Sequence, residues 1–161
     1  LHLILKSGTS DSRKDRFAVG DYKKIPNEVG GMDTALPEEV ADKMKNLLAE
    51  YNRKEEKTFE DILDFHVKFE RIHPFADGNG RTSRLLMNYI LSYHQLPLAT
   101  IFKEDKLEYY QALEASRPQD DEDPDLCPIR DFMFAQQMKY LSMEIKKYRQ
   151  AEKKGGMRFI F

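Results

Sequence analysis

A proline and two glycines within residues 73–84, His-Pro-Phe-Ala-Asp-Gly-Asn-Gly-Arg-Thr-Ser-Arg, interrupt what would otherwise be one long amphipathic pattern. Before them Phe59, Ile62, Leu63, His66, Phe69 and Ile72 recur at helical spacing, and after them Leu85, Leu86, Tyr89, Ile90 and Tyr93 do the same. Such a chain folds as two helices joined by a turn. Pro74 disfavours the α conformation at His73, which ends the first helix there and aims the imidazole off its C-terminal end. Gly78 and Gly80 permit positive φ and close approach to bare backbone. The second helix starts near Asn79 or Gly80, so its unpaired amide N–H groups and the positive end of its dipole face the turn.

That arrangement suits an anion. Arg81 and Arg84 are three residues apart, share one face of the first helical turn, and can both reach a polyphosphate held there. Asp77 would repel a phosphate unless a divalent cation lay between them, and Mg²⁺ takes that mixture of carboxylate, phosphate and water oxygens. Phe75 is apolar and anchors the turn in the core.

Residues 73–84 resemble the signature of the Fic domain family, His-Pro-Phe-x-Asp/Glu-Gly-Asn-Gly-Arg with a second Arg after two intervening residues, and every position matches. The resemblance implies an all-α, Fic-like helical domain with a small β-hairpin flap ahead of the signature helices. It implies protein adenylyltransferase activity, the transfer of AMP from ATP to a hydroxyl side chain of a target protein. His73 would be the base and Asp77 the Mg²⁺ ligand. Asn79 would orient the α-phosphate, Gly78 and Gly80 would offer backbone N–H groups, Arg81 would neutralise the β-phosphate, and Arg84 would reach the γ-phosphate. Tyr109 and Tyr110 match an aromatic pair that helps enclose the adenine or ribose in many relatives; adjacent helical residues point about 100° apart, so only one of them can line a pocket while the other packs, and a core role for both is the other reading. Many relatives carry an Asn soon after that helix, where Ser116 and Arg117 stand here. The flap implied by the resemblance covers residues 22–29, with Tyr22, Lys23, Lys24 and Ile25 docking the target as an added strand.

Two other readings of the same residues remain: a Fic-fold transferase with another phosphate-linked donor, such as UMP or phosphocholine, and a peptide-binding regulatory module without catalysis. Relatives are often restrained by a helix bearing Ser/Thr-x-x-x-Glu-Gly/Asn, whose Glu pairs with the second signature Arg. Residues 34–38 and 100–104 fit only the first half of that motif. The restraint is therefore expected from an upstream segment, from a separate partner, or not at all.

The chain has 161 residues, which fits one domain. Its net charge of −2 argues against a nucleic-acid surface, which needs a basic face. No run of apolar residues approaches the roughly 18 of a membrane helix, and no signal-peptide pattern opens the chain, so a cytoplasmic location is the default expectation. The single cysteine, Cys127, cannot form an internal disulfide. Residues 1–6 read as the tail of a helix from a longer protein.

Residues 17–32 shift to a β-type composition broken by Gly20, Pro26 and Gly30-Gly31, which predicts a small hairpin. Pro37, Glu38 and Glu39 open a helix that continues through Val40, Met44, Leu47, Leu48 and Tyr51 to about Arg53. Thr58 and Asp61 cap the next one. His66 lies seven residues before His73; that spacing fits a buried, hydrogen-bonded histidine better than a metal ligand. A helix over residues 103–116 presents Leu107, Tyr110 and Leu113. An acidic loop over 118–128 leads to a last helix from Pro128 to about Lys153, with Ile129, Phe132, Met133, Gln137, Tyr140, Leu141, Ile145 and Tyr148 on one face. Residues 157–161 either fold back on the core or begin something further.

Overall fold

A computed structural model describes residues 1–9, 19–117 and 123–153. The expectations for Phe17 and Ala18, for residues 118–122 of the acidic loop and for residues 157–161 lie outside that set. The elements run α1 (His2–Lys6), β1 (Glu28–Val29), β2 (Met32–Asp33), α2 (Pro37–Tyr51), α3 (Phe59–Ile72), α4 (Asn79–Tyr93), α5 (Lys106–Ala115) and α6 (Cys127–Lys153).

α3 is the centre. Ile62, Leu63 and Val67 are fully buried, while Phe65, Phe69 and Ile72 are nearly so, because apolar residues occupy more than one of its faces. α2 covers one side with Val40, Met44 and Leu47, α4 another with Met87, Ile90 and Leu91, and the first turns of α6 a third with Ile129 and Met133. Burying each of these side chains contributes about 1.5–3 kcal/mol, so α3 carries much of the stability of the fold.

The ends of α2 and α3 are locally determined. Pro37 occupies the first turn of α2, and Leu36 N donates to Glu39 Oε2 at 3.0 Å. Thr58 caps α3 reciprocally: Asp61 N donates to Thr58 Oγ1 at 3.2 Å and Thr58 N to Asp61 Oδ2 at 2.9 Å. Lys57 donates its ammonium to the carbonyls of Tyr51 and Lys54, satisfying acceptors that the end of α2 leaves open.

Two faces differ from the expected ones. On α5 the buried residues are Tyr109 and Leu113, one turn apart, whereas Leu107 and Tyr110 are exposed. Among the described residues of α6 the buried ones, Ile129, Met133 and Gln136, lie in its first three turns, and Tyr140, Leu141, Ile145 and Tyr148 are exposed. Periodicity reports an amphipathic stripe there, but its second half stays exposed among the described residues.

The hairpin also sits later than expected. Its pairs are Glu28 with Asp33 and Val29 with Met32, antiparallel, around Gly30-Gly31. These glycines form the turn itself: φ is +63° and +82°, the pair of positive angles that a tight two-residue hairpin loop requires. Tyr22, Lys23, Lys24 and Ile25 therefore precede the hairpin instead of forming it.

Candidate active site

α3 ends as Pro74 dictates. His73 leaves the helix in the left-handed region, φ 51° and ψ 60°, with its N–H still donating to Phe69 O at 3.0 Å. Its ring Nδ1 lies 3.4 Å from the carbonyl oxygen of Glu70, which can only accept. That bond, though long, assigns the proton to Nδ1 and leaves Nε2 as a proton acceptor. Burial pushes the His73 pKa down to about 4, helped by the positive charges of Lys23 and Arg117, so the imidazole is neutral at pH 7.

The turn after His73 is tied at almost every residue. Lys23 N donates to Pro74 O at 2.8 Å, and Asn27 Nδ2 donates to Phe75 O at 3.0 Å. Asn79 closes the loop on itself, accepting from Phe75 N at 2.8 Å through Oδ1 and donating to Phe75 O at 2.7 Å through Nδ2. The Phe75 ring stacks on His2 with centroids 3.8 Å apart. Gly78, at φ 83°, is the N-cap of α4. A Cβ on Gly78 would lie 3.3 Å from Lys6 Cδ, and one on Gly80 would lie 3.1 Å from Arg84 Nη1. Both glycines therefore leave room for neighbouring cations.

Asn79 departs from the role that the resemblance implied. Its side chain is 1% exposed and both ends of its amide serve the Phe75 backbone, so it shapes the turn instead of facing a ligand. Its own backbone N–H still belongs to the open first turn of α4.

The charged groups gather at this end of α4. Asp77 is partly exposed and receives Lys6 Nζ on Oδ2, with Arg81 Nη2 on the same oxygen at 3.4 Å. The Lys6 hydrogen bond is the largest of the effects that hold its pKa below the usual carboxylate range. His2 donates from Nε2 to Asp77 O at 2.9 Å and accepts at Nδ1 from Gly20 N at 3.1 Å, so both of its nitrogens fix the loop. Burial lowers the His2 pKa, consistent with a neutral ring.

Behind the arginines lies a buried polar layer. Glu70 is 5% exposed, accepts a hydrogen bond from Ser83 Oγ and lies near Arg84 and Arg117; burial nevertheless raises its pKa. His66 is fully buried and its Nε2 pairs with Tyr109 Oη at 2.8 Å, as its spacing predicts. Burial, together with the Arg84 charge, pushes its pKa down to about 3. The Arg84 guanidinium sits 5.7 Å from the centre of the Tyr109 ring. Arg84 and Tyr109 line a cavity of about 90 Å³ with Ile101, Phe102, Lys103 and Lys106. Tyr110 is exposed, with Lys106 Nζ 5.4 Å from its ring centre. A larger cleft of about 580 Å³, between the hairpin, α2 and α3, has mixed charge from Asp33, Glu39, Lys43 and Arg71 and contains none of the signature side chains.

The structure thus brings His73, Asp77, Gly78, Gly80, Arg81 and Arg84 together, with Tyr109 against Arg84. Lys23 does not belong to an exposed docking strand. It is 2% exposed, and its ammonium is enclosed by Asn27 Oδ1 at 2.7 Å, Thr34 Oγ1 at 2.6 Å and Ile72 O at 3.5 Å, three acceptors for three donors. It pins the root of the hairpin to the end of α3, while Tyr22, Lys24 and Ile25 remain accessible beside it. Sequence reasoning missed Lys6, His2, Glu70 and Arg117. Only Glu70 left a local signal: it shares a helical face with His66 and His73, four and three residues away.

Comparison with known proteins agrees with this geometry. Protein adenylyltransferase Fic from Aedes aegypti is 34% identical over 109 residues, covering 66% of this chain and 22% of that protein. Protein adenylyltransferase fic-1 from Caenorhabditis elegans is 34% identical over 102 residues, covering 62% and 20%. The chain thus spans about a fifth of the length of these curated relatives. Among solved structures, a Fic-domain signalling protein from Bacteroides thetaiotaomicron superimposes with a TM-score of 0.70 at 30% identity, over 88% of this chain and 57% of that one. A Fic family protein from Desulfovibrio desulfuricans does so with 0.68 at 26% identity, over 91% and 45%. A family model described as Fic/DOC family matches residues 1–91, which run from α1 through the hairpin and the signature turn into α4 and make up more than half of the chain. By that match, and by the turn that residues 73–84 form, this chain belongs to the Fic/DOC family.

Proposed function

We propose that this domain transfers AMP from ATP to a hydroxyl side chain of a target protein. The observation that carries the reading is a neutral imidazole, its Nε2 left as acceptor, at the head of the turn that leads into the positive N-terminus of α4, whose first two turns carry Arg81 and Arg84. The names of the curated relatives support it. The target hydroxyl oxygen attacks the α-phosphorus as its proton passes to His73 Nε2. The bond from that phosphorus to the bridging oxygen breaks, and pyrophosphate leaves with the electron pair. Backbone N–H groups from Gly78 onward, with Arg81 and Arg84, hold the phosphates and meet the developing charge. The low pKa of His73 keeps it deprotonated; bound phosphates would raise it toward neutrality and strengthen it as a base.

Asp77 fits Mg²⁺ as one carboxylate completed by phosphate and water oxygens, and no group of three or more His, Cys, Asp or Glu among the described residues offers a protein-only cage. When bound, the ion would neutralise phosphate charge. Restraint by a helix from outside these residues, with a carboxylate against Arg84, belongs to the same reading.

One observation favours a broader donor range. Ser116, beside the position where many relatives carry an Asn, is fully buried and its Oγ accepts from Ile129 N at 3.0 Å, so it caps the start of α6 instead of facing a base. The test supplies the protein and a lysate with ATP labelled at the α-phosphorus, in parallel with α-labelled UTP. Acid-stable label on protein from ATP is expected. Label only from γ-labelled ATP would sink nucleotidyl transfer, and label preferentially from UTP would replace the donor.

A further inference from the structure

We propose that Lys6 is a protein-borne cation of the phosphate site: its ammonium holds the Asp77 oxygen that a divalent cation would take, so the metal must displace it to bind. The inference rests on the reading that Asp77 is the metal ligand.

Lys6 is not a loose surface lysine. It is the last residue of α1, it is 2% exposed, and its stem passes beside Gly78, with Cδ 3.3 Å from where a Cβ would stand. Thr9 caps its carbonyl, through N at 3.2 Å and Oγ1 at 2.8 Å. α1 is itself located by His2, which stacks on Phe75 and bonds Asp77 O. The head so placed meets Oδ2 of Asp77.

A purely structural pin between α1 and the turn would explain one contact. It does not explain why Arg81 converges on the same oxygen, nor why that carboxylate remains 42% exposed. His2 already provides a pin, to the Asp77 carbonyl and the Phe75 ring, without using the carboxylate. Mg²⁺ binds a carboxylate oxygen at about 2.0–2.1 Å and an ammonium does so at roughly 2.7–2.9 Å, so both cannot keep the same lone-pair direction without one moving. Lysine suits the exchange, being a compact charge on a rotatable stem, whereas the planar fork of an arginine would hold its position. The free protein then has its carboxylate neutralised in advance and binds metal weakly. Bound phosphates change the balance, because a displaced ammonium can turn to their oxygens.

The test measures Mn²⁺ binding to the nucleotide-free protein by electron paramagnetic resonance. Lys6→Met should bind Mn²⁺ about tenfold more tightly than wild type, while Lys6→Arg should not gain. If Lys6→Met fails to fold, the wild type answers directly: the side-chain NMR signal of the Lys6 ammonium should shift as Mg²⁺ is titrated. Unchanged or weaker Mn²⁺ affinity in Lys6→Met, or a Lys6 signal that ignores bound Mg²⁺, overturns the proposal. Asp77→Asn separates the two readings. If it weakens Mn²⁺ binding while Lys6→Met gains nothing, only the role of Lys6 falls; if Mn²⁺ binding ignores Asp77, the metal reading falls and takes the Lys6 proposal with it.

Discussion

The signature turn and the hairpin next to it are built on opposite plans. The backbone from Pro74 to Asp77 is held by His2, Lys23, Asn27 and Asn79, residues drawn from across the first half of the chain. The hairpin has two residue pairs and a Gly-Gly tip with nothing within 4 Å of where either Cβ would be. Its root is fixed by Lys23 and by Thr34 Oγ1 donating to Asn27 O at 2.8 Å, and Arg117 Nη1 reaches Met32 Sδ at 4.0 Å. On the function proposed above, the difference follows from what each would receive. A phosphate transition state is stabilised by dipoles and charges already in place, so movement there loses rate. A partner chain joining a sheet edge needs an edge that can adjust.

The sharpest test of that contrast is His73→Ala. It removes the proton acceptor and leaves the phosphate cradle intact, so transfer should fall by about 10² to 10⁴ with Mg-ATP affinity nearly unchanged. Activity equal to wild type would remove His73 from the reaction.

Acid should also act on the turn before the hairpin. Below their ordinary pKa of 6.5, His66 and His73 stay neutral in the fold, with pKa values of about 3 and about 4, while the unfolded chain takes up protons. The unfolded state then binds more protons, so stability is unaffected above that range and falls as pH drops from 6.5 toward 4. The loss is roughly 1.4 kcal/mol per histidine for each pH unit well below 6.5. Urea unfolding at pH 7.5 and 5 checks it, and a flat profile would contradict the burial of both rings.

Asn79→Ala should lower stability by about 1–3 kcal/mol, because it deprives the Phe75 N–H of its acceptor. Transfer should fall with it, although no atom of the amide touches a substrate in the proposed reaction. A variant as stable as wild type would show that the turn does not depend on this clamp.

The smallest effect is expected at the hairpin tip. Gly30→Ala meets open space and carries only the strain of positive φ, about 1–2 kcal/mol. Modification of a protein target should fall more than Mg-ATP affinity does. If both fall together, the hairpin is coupled to the phosphate site more tightly than its few contacts imply.

The two signature helices and their turn were legible because periodicity, Pro74 and the glycines all lie in one short segment. The hairpin was misplaced because two-residue strands are too short to show alternation, and Gly30-Gly31 read as a boundary when it is the turn. Lys23 looked like part of an exposed strand, since nothing near it in sequence announces the Ile72 carbonyl or Thr34 hydroxyl that enclose it. Asn79 was expected to meet a ligand, yet an amide of the same size and spacing can instead grip the backbone four residues earlier. Lys6 was beyond reach, because its partner lies 71 positions away and only the fold makes them neighbours.

The left-handed backbone at His73 carries a consequence for selection. A non-glycine residue there gives up about 1–2 kcal/mol relative to an ordinary conformation, and the imidazole is buried besides. Glycine or asparagine at this position would relieve the strain and make a sturdier protein without the base. If His73 is the base of the proposed reaction, drift toward stability runs away from activity at this residue, and the histidine is held there by the chemistry and not by the fold.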